Sequence, residues 1–535
     1  MSTSTVTSAS DGQFAAQPER GSIPGAGWCL ALVATSVFML ILDVTIVSAA
    51  LADIRADFNA SIDGLQWVID AYALPLAGAM LAFAALGDRH GRRLLFLAGM
   101  SVFTLSSLAL SLSGTILVLN LLRAVQGVGA AMLFAAALPL LAVAYPGRDA
   151  RLKAIGIYGA VLASASVAGP VVGGALVTAF GWRSVFIVNV PIGIAVIALA
   201  LLKMPESVEP SSRRTDWLGS TLLTASLVSG VFALTRGNAW GWTSPEVLGL
   251  AIGSVVLLAA FVAWQVKAPD PMFDGRMVRQ AGFTGTAIVS IVYSATIMAV
   301  VTYLALFFIN VYDYTPLEMG LRILPLSVTA FVAAPISAAI SKKVPYSITL
   351  PATMVLVALG LWLMTGLDAG DSWTHYIPGM VIAGVGLGGI AAISNSAALS
   401  FAPDEQAGVA GSTFGTFRQV GLAMGIAGLG ALFSNHAQDQ TEKGLDGMTA
   451  GTTLQVPAEL RDKLVEAVGS GAGNSVVDEV PAQFAFAAPR LTTLANDASR
   501  DALNTIFTYS AWIGFGGAVA TAVAFWVGGR LTRTK

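Results

Sequence analysis

A single cysteine in 535 residues, Cys29, rules out an internal disulfide framework, and that cysteine lies inside an apolar run. The three histidines, His90, His375 and His436, stand too far apart to build a recognisable metal cluster with it, so no metal is expected. No lysine is followed by serine or threonine, which removes any phosphate-gripping Walker loop and with it the case for an ATP-driven pump. Charge is scarcest of all. Asp, Glu, Lys and Arg make up 11% of the chain, where a soluble domain carries about a quarter. With 55% hydrophobic residues this reads as a polytopic membrane protein, and a formal net charge of -2 leaves no basic stripe for nucleic acid. No nucleophile and base are recognisably arranged, so an enzyme is not expected.

What is present is a succession of apolar runs. They fall at about 27–51, 64–86, 94–114, 116–144, 154–179, 185–203, 216–235, 247–266, 282–311, 317–341, 346–367, 377–401, 407–434 and 504–528, fourteen expected membrane helices in an all-α chain. The first run is too long for a secretory signal, and residues 1–26 read as a disordered tail. Arg89, Arg92, Arg93, Arg148, Arg151, Lys153, Lys203, Lys267, Arg276, Arg279, Lys342 and Lys343 gather in alternate loops. Arg55, Arg183 and Arg236 are assigned to the opposite, outer loops. Cytoplasmic loops collect such cations, so both termini are placed inside a cell membrane. The long connection 435–503 is expected outside, as a surface cap without chemistry of its own. Within it, Leu460, Leu464, Val465 and Val468 are spaced for a short amphipathic helix over 457–469. A faint repeat lays QGVGAAM (126–132) on AGVGLGG (383–389), matching Gly127 with Gly384 and Gly129 with Gly386. Gly384-x-Gly386-x-x-Gly389 also fits a dinucleotide fingerprint, but no strand precedes it, and it reads as a packing face.

Against this background Asp43, in LDVTIVSAAL (42–51), contradicts its surroundings. An acid at the centre of a membrane helix costs roughly 2.5 to 3.5 kcal/mol to insert, so it marks a functional site unless it merely caps a neighbouring backbone group. Asp70 is expected roughly 9 Å below the outer end of the second helix and Asp43 roughly 12 Å below that of the first, which allows one shared vestibule. Asp70 is equally well read as an interface residue beside Trp67 and Tyr72. Desolvation favours the protonated form of a carboxylate and an adjacent cation the ionised form, so a proton and a bound organic cation would compete for one acid. Arg123 and Arg418 fall within helices, and each requires water, an acid or a carbonyl. Trp67, Tyr72, Gln126, Asn395, Phe417 and Arg418 are candidates for a substrate cavity, with core packing as the alternative reading.

Between the second and third helices AALGDRHGRRLLF (84–96) sets Asp88, Arg89, Arg92 and Arg93 around Gly91. This turn resembles the signature loop of the major facilitator superfamily, with Ala84 where the family has its first glycine. NLLRAVQGVGAA resembles that family's Arg-containing motif. GIYGAVLASASVAGPVVGG resembles its antiporter motif at Gly156, Gly169, Pro170, Gly173 and Gly174, with Ala165 in place of the second glycine. LDVTIV, QWVIDAY, GWRSVFIVNVPIG (181–193) and TFRQVGLAMGIA (416–427) extend the resemblance to the fourteen-span drug:proton antiporter branch. The resemblance implies two six-helix bundles, 27–203 and 282–535, with two extra helices within 204–281. It also implies proton-coupled export of drugs, antibiotics or lipophilic cations with no cofactor but the proton gradient. Asp43 would carry the proton, Arg123 would tune or relay it, and the Asp88 loop would govern the conformational switch. The antiporter motif would help seal the bundle interface. Export of an endogenous metabolite, lipid or self-made antibiotic remains the alternative, with a non-transporting receptor behind it. An adaptor protein is left open.

Overall fold

The computed structural model describes residues 22–60, 62–205, 216–269, 271, 280–368, 371–400, 407–449, 457–469, 471, 473–474 and 487–533. The expected tail 1–26 therefore lies almost wholly outside the described residues. In chain order the helices are α1 Ala26–Phe58, α2 Ile62–His90, α3 Arg92–Ser111, α4 Ile116–Ala144, α5 Arg148–Phe180, α6 Ser184–Ile187, α7 Asn189–Lys203, α8 Trp217–Trp240 and α9 Pro245–Lys267. After them come α10 Ala281–Tyr293, a π-turn Ser294–Met298, α11 Ala299–Asn310, α12 Pro316–Ile340, α13 Tyr346–Leu363, α14 Ile377–Ser400, α15 Ala407–Thr449, α16 Ala458–Gly469 and α17 Ala488–Arg533. Among the described residues twelve helices are long and apolar enough to cross a membrane. The second and fifth expected spans are also helical, as α2 and α5, but their described apolar stretches are shorter.

Local signals set the ends. Thr115 caps α4 by accepting from the Val118 amide, and Ser244 caps α9 from the Val247 amide with Pro245 at the first helical position. α5 stops at Gly181, at φ 76°, and α2 turns directly into α3 through Gly91, at φ 105°. Few side chains tolerate that backbone, so the one-residue turn of the signature loop requires its glycine.

Among the described residues two large apolar cores form beside smaller clusters. One draws on α1 to α7 and includes Phe96, Phe103, Leu133 and Leu141; the other draws on α10 to α17 and includes Phe308, Met354, Tyr376 and Phe507. The faint repeat is structural. A Cβ on Gly127 would run into the Tyr72 carbonyl of α2, and one on Gly384 into the Leu326 carbonyl of α12. Gly129 meets the Phe103 amide of α3 as Gly386 meets the Val357 amide of α13. Thus α4 lies on α2 and α3 as α14 lies on α12 and α13, by the close backbone approach that small residues allow. The dinucleotide-like glycines are part of this packing face.

The extra pair α8 and α9 clips together through reciprocal bonds, Ser226 Oγ to the Ser254 carbonyl and Ser254 Oγ to the Ser226 carbonyl, each 2.8 Å. Asp216 accepts from Trp264 Nε1 at 2.8 Å and Gln265 Nε2 at 2.6 Å. α8 docks on α2, where Thr224 Oγ1 donates to the Gly78 carbonyl. α9 leaves Ile252, Val255, Val256, Val262 and Val266 exposed, the surface a lipid-facing helix presents.

Two expectations are corrected. Arg236 is not in a loop: it lies inside α8 and is fully buried, with its guanidinium 4.4 Å from the Trp67 ring centre, because an Arg near a helix end here folds back over aromatics instead of reaching water. The connection 435–503 is shortened by its neighbours, since α15 runs on to Thr449 and α17 begins at Ala488. The short helix expected there exists as α16. Its Leu464 and Val468 are buried with Leu445, Leu491 and Ala495, so the segment is a helical cap whose interior is continuous with the core of the second half.

Candidate functional site

α4 approaches α2 and α3 closely only because Gly127 and Gly129 lack side chains, and the same turns of the helix aim Arg123 and Gln126 inward. Across from them α1 presents Asp43. The Arg123 guanidinium donates to Asp43 Oδ2 at 2.6 Å, and both side chains are sealed, 2% and 0% exposed. Asp43 Oδ1 accepts two further bonds, from Gln126 Nε2 at 3.0 Å and from Asn189 Nδ2 of α7 at 3.0 Å. Gln126 Nε2 also reaches Ser107 Oγ of α3 at 2.9 Å, and its Oε1 accepts from Arg123 at 2.6 Å. Arg123 Nε donates to the Val68 carbonyl of α2, and the guanidinium lies 4.3 Å from the Tyr72 ring centre. The carboxylate of α1 is thus bonded from α4 and α7, and through Arg123 and Gln126 the network extends to α2 and α3.

Such a cluster is expensive. Withdrawing each ion from water costs several kcal/mol, repaid only by good geometry and full hydrogen bonding, and removing one partner typically costs about 3 to 5 kcal/mol. Two polar atoms at the site nevertheless have no hydrogen-bond partner among the described residues, Asn189 Oδ1 and the Tyr72 hydroxyl. Spare capacity of this kind suits a group whose protonation changes.

The remaining candidates separate. Tyr72 and Gln126 belong to the Asp43 cluster, not to an open cavity. Asp70, 7% exposed, follows Trp67 by three residues and shares its side of α2. Trp67 itself packs on Phe232 and Arg236 of α8. Phe417 meets Phe414 edge-on at 6.1 Å, and Phe414 meets Phe283 of α10. Arg418 is half-buried, with its guanidinium 5.5 Å from the Phe134 ring centre of α4. The side chains of Asn395, Asp88 and Pro170 lie outside the described residues.

In the signature loop Arg92 is buried, Arg89 is exposed, and Arg93 donates to the Leu201 carbonyl in the last turn of α7 at 2.7 Å, where a helix end attracts a cation. The antiporter-motif helix works on two fronts. A Cβ on Gly169 would strike the Thr45 side chain, and one on Gly173 would strike Ile46, so these glycines seat α5 on α1 beside Asp43. Contact with the second half comes from an earlier stretch, where Gly159 faces Ala391 of α14 and Gly156 faces Ala338 of α12. The sealing expected of the motif is thus divided.

Asn189 and Ser107 escaped sequence reasoning as site residues. The signal for Asn189 was present, a lone amide in the apolar IVNVPIG, whereas Ser107 is one of several serines in α3.

Residues 33–426 match the Major Facilitator Superfamily. The tetracenomycin C resistance and export protein of Streptomyces glaucescens is 32% identical over 417 residues, 78% of this chain and 77% of that protein. Multidrug resistance protein Stp of Mycobacterium tuberculosis is 33% identical over 413 residues, 76% of each. A solved bacterial homologue of the human lysosomal transporter Spinster, inward-facing and unoccupied, shares the fold with a TM-score of 0.56, over 95% of this chain and 99% of that one, at 17% identity. A match of this extent places the protein in the Major Facilitator Superfamily.

Proposed function

We propose that this multi-pass membrane transporter exports drugs or antibiotics across the cell membrane by proton antiport, and that Asp43 carries the proton. The observation behind this reading is the buried Asp43–Arg123 pair with its ring of amides. The named export and multidrug resistance proteins among its relatives support the direction and kind of cargo. Membership of the superfamily makes the chain a transporter of small molecules and not an enzyme.

Ionised Asp43 ties α1 to α4 and α7. A proton cancels that charge, and Arg123 keeps the Gln126 oxygen, the Val68 carbonyl and the Tyr72 face as residual partners. Asn189 serves both states. Its NH2 donates to the carboxylate, and its spare Oδ1, after rotation of the amide, accepts from the protonated acid. Protonation thus loosens α1 from its neighbours without stranding a buried charge. Inward proton flow supplies about 2.3 kcal/mol per charge for each 100 mV, plus the pH difference. Alternate-loop cations support cytoplasmic termini.

The test is proton release from the purified protein on adding a panel of antibiotics, for wild type and Asp43→Asn. Release on binding that vanishes in the variant is expected, because substrate is held by the arrangement in which ionised Asp43 bonds Arg123 and Asn189, so that proton and substrate compete through helix position and not through contact of their charges. Binding without release, or release unchanged in Asp43→Asn, refutes the assignment.

A further inference from the structure

Resting on the export reading, we infer that Arg418 is the point at which the transported molecule's own negative charge is held, so that the substrates are aromatic organic anions bearing a carboxylate, sulfonate or phenolate. Arg418 lies in α15, five residues inside the apolar span that starts at Thr413. α15 is bound to its own half by Gly421 and Gly425, whose absent side chains admit the Ile291 and Ala295 carbonyls at the π-turn. One turn earlier Arg418 crosses the seam between the halves. It lies over Phe134 of α4, its guanidinium 5.5 Å from the ring centre.

Among the described residues no carboxylate forms an ion pair with Arg418. Asp43 has its cation in Arg123. An aromatic face returns only a fraction of what withdrawing a cation from water costs, so Phe134 does not balance the charge. A half-buried guanidinium on α15, laid over an aromatic ring of α4 across the seam between the halves, is the recognition chemistry for a flat anion. It repels the lipophilic cations that the sequence had left among the substrates. The π-turn two turns further along, packed on Gly425 of the same helix, is the kind of helix irregularity that recurs at binding sites.

Three probes with one ring system and different charge test this: naphthalene-2-sulfonate, the neutral methyl 2-naphthyl sulfone, and (2-naphthylmethyl)trimethylammonium. Binding to the full-length protein in nanodiscs is expected to favour the sulfonate over the ammonium by at least about tenfold, the loss of one charge-assisted contact. Arg418→Gln should remove that preference while leaving the sulfone unchanged, and Arg418→Lys should retain part of it. Arg418→Met provides a second neutral variant should the Gln form not fold. Preference for the ammonium, binding of none of the three, or an undiminished sulfonate preference in the neutral variants overturns the inference. If the sulfonate preference stands but a proton gradient drives no transport, the export reading fails and the anion site survives.

Discussion

A carboxylate sealed from water is tolerable only while each of its partners is in place, and this makes the Asp43 cluster sensitive to changes of a few atoms. Arg123→Lys keeps the charge but loses the planar fork that bonds Asp43, Gln126 and the Val68 carbonyl at once and lies on Tyr72. It should lower transport at least about tenfold, roughly 1.4 kcal/mol or more in the coupled step, measured as initial export rate at equal protein. Asn189→Ala removes a hydrogen bond to a charged group and should cost about 1.5 to 3 kcal/mol, read as a fall in melting temperature of the detergent-solubilised protein. An unchanged melting temperature would show that the Asn189 bond is not formed. At this scale the sequence identified Asp43, Arg123 and Gln126, because a charge or amide in a long apolar run stands out from composition alone. It did not identify Asn189 as a partner, since facing α1 depends on how α7 is rotated, and that is fixed only by packing. Arg236 was misplaced for the reverse reason: near a helix end a long cation has two outlets, and the rings of Trp67, Phe232 and Trp240 decide between them.

At the scale of helices, glycine sets which pairs approach and which stay apart. Gly169→Ala forces a methyl into Thr45, whose hydroxyl already bonds the Ile41 and Leu42 carbonyls and has little room to turn. The expected cost is about 1 to 3 kcal/mol, as for other overpacked sites. Gly156→Ala places its methyl 3.8 Å from Ala338, an ordinary contact, and should be tolerated. Equal melting temperatures for the two variants would contradict the packing described for α5. A second junction ties the far end of α1 to the turn after α5. Asp57 accepts from Trp182 Nε1 at 3.0 Å and from Arg183 at 2.9 Å. The Trp182 bond first, and then that from Arg183, hold the Asp57 carboxyl below its usual 3.8. A depressed acid stabilises the fold above its unfolded value and loses that contribution as pH falls through its folded one. The melting-temperature gap between wild type and Asp57→Asn should therefore be small but present at pH 7 and close below pH about 4; a gap that widens on acidification would reverse the sign. Helix positions were readable from hydropathy to within a few residues over most of the chain. Of the cap only α16 was readable, because α15 continues as an amphipathic helix past its apolar run and α17 begins as one before its own, and their burial depends on α16 lying against them.

Across the whole molecule the two halves share a packing plan but not a charge plan. The repeat that sets Gly127 on Gly384 also sets Arg123 and Gln126 on Met380 and Ala383, both fully buried in the apolar core of the second half. One half thus holds the titratable cluster, and the other offers Arg418 across the seam. The faint glycine match foretold the symmetry of the backbone, whereas the asymmetry of function rests on substitutions at positions that only superposed helices bring into register. Proton coupling through Asp43 predicts a separation of two activities in proteoliposomes loaded with a transported antibiotic. With an imposed pH gradient, wild type should accumulate substrate and Asp43→Asn should not, while Asp43→Asn should still exchange labelled for unlabelled substrate at equilibrium. Gradient-driven accumulation by Asp43→Asn at the wild-type level would contradict the account.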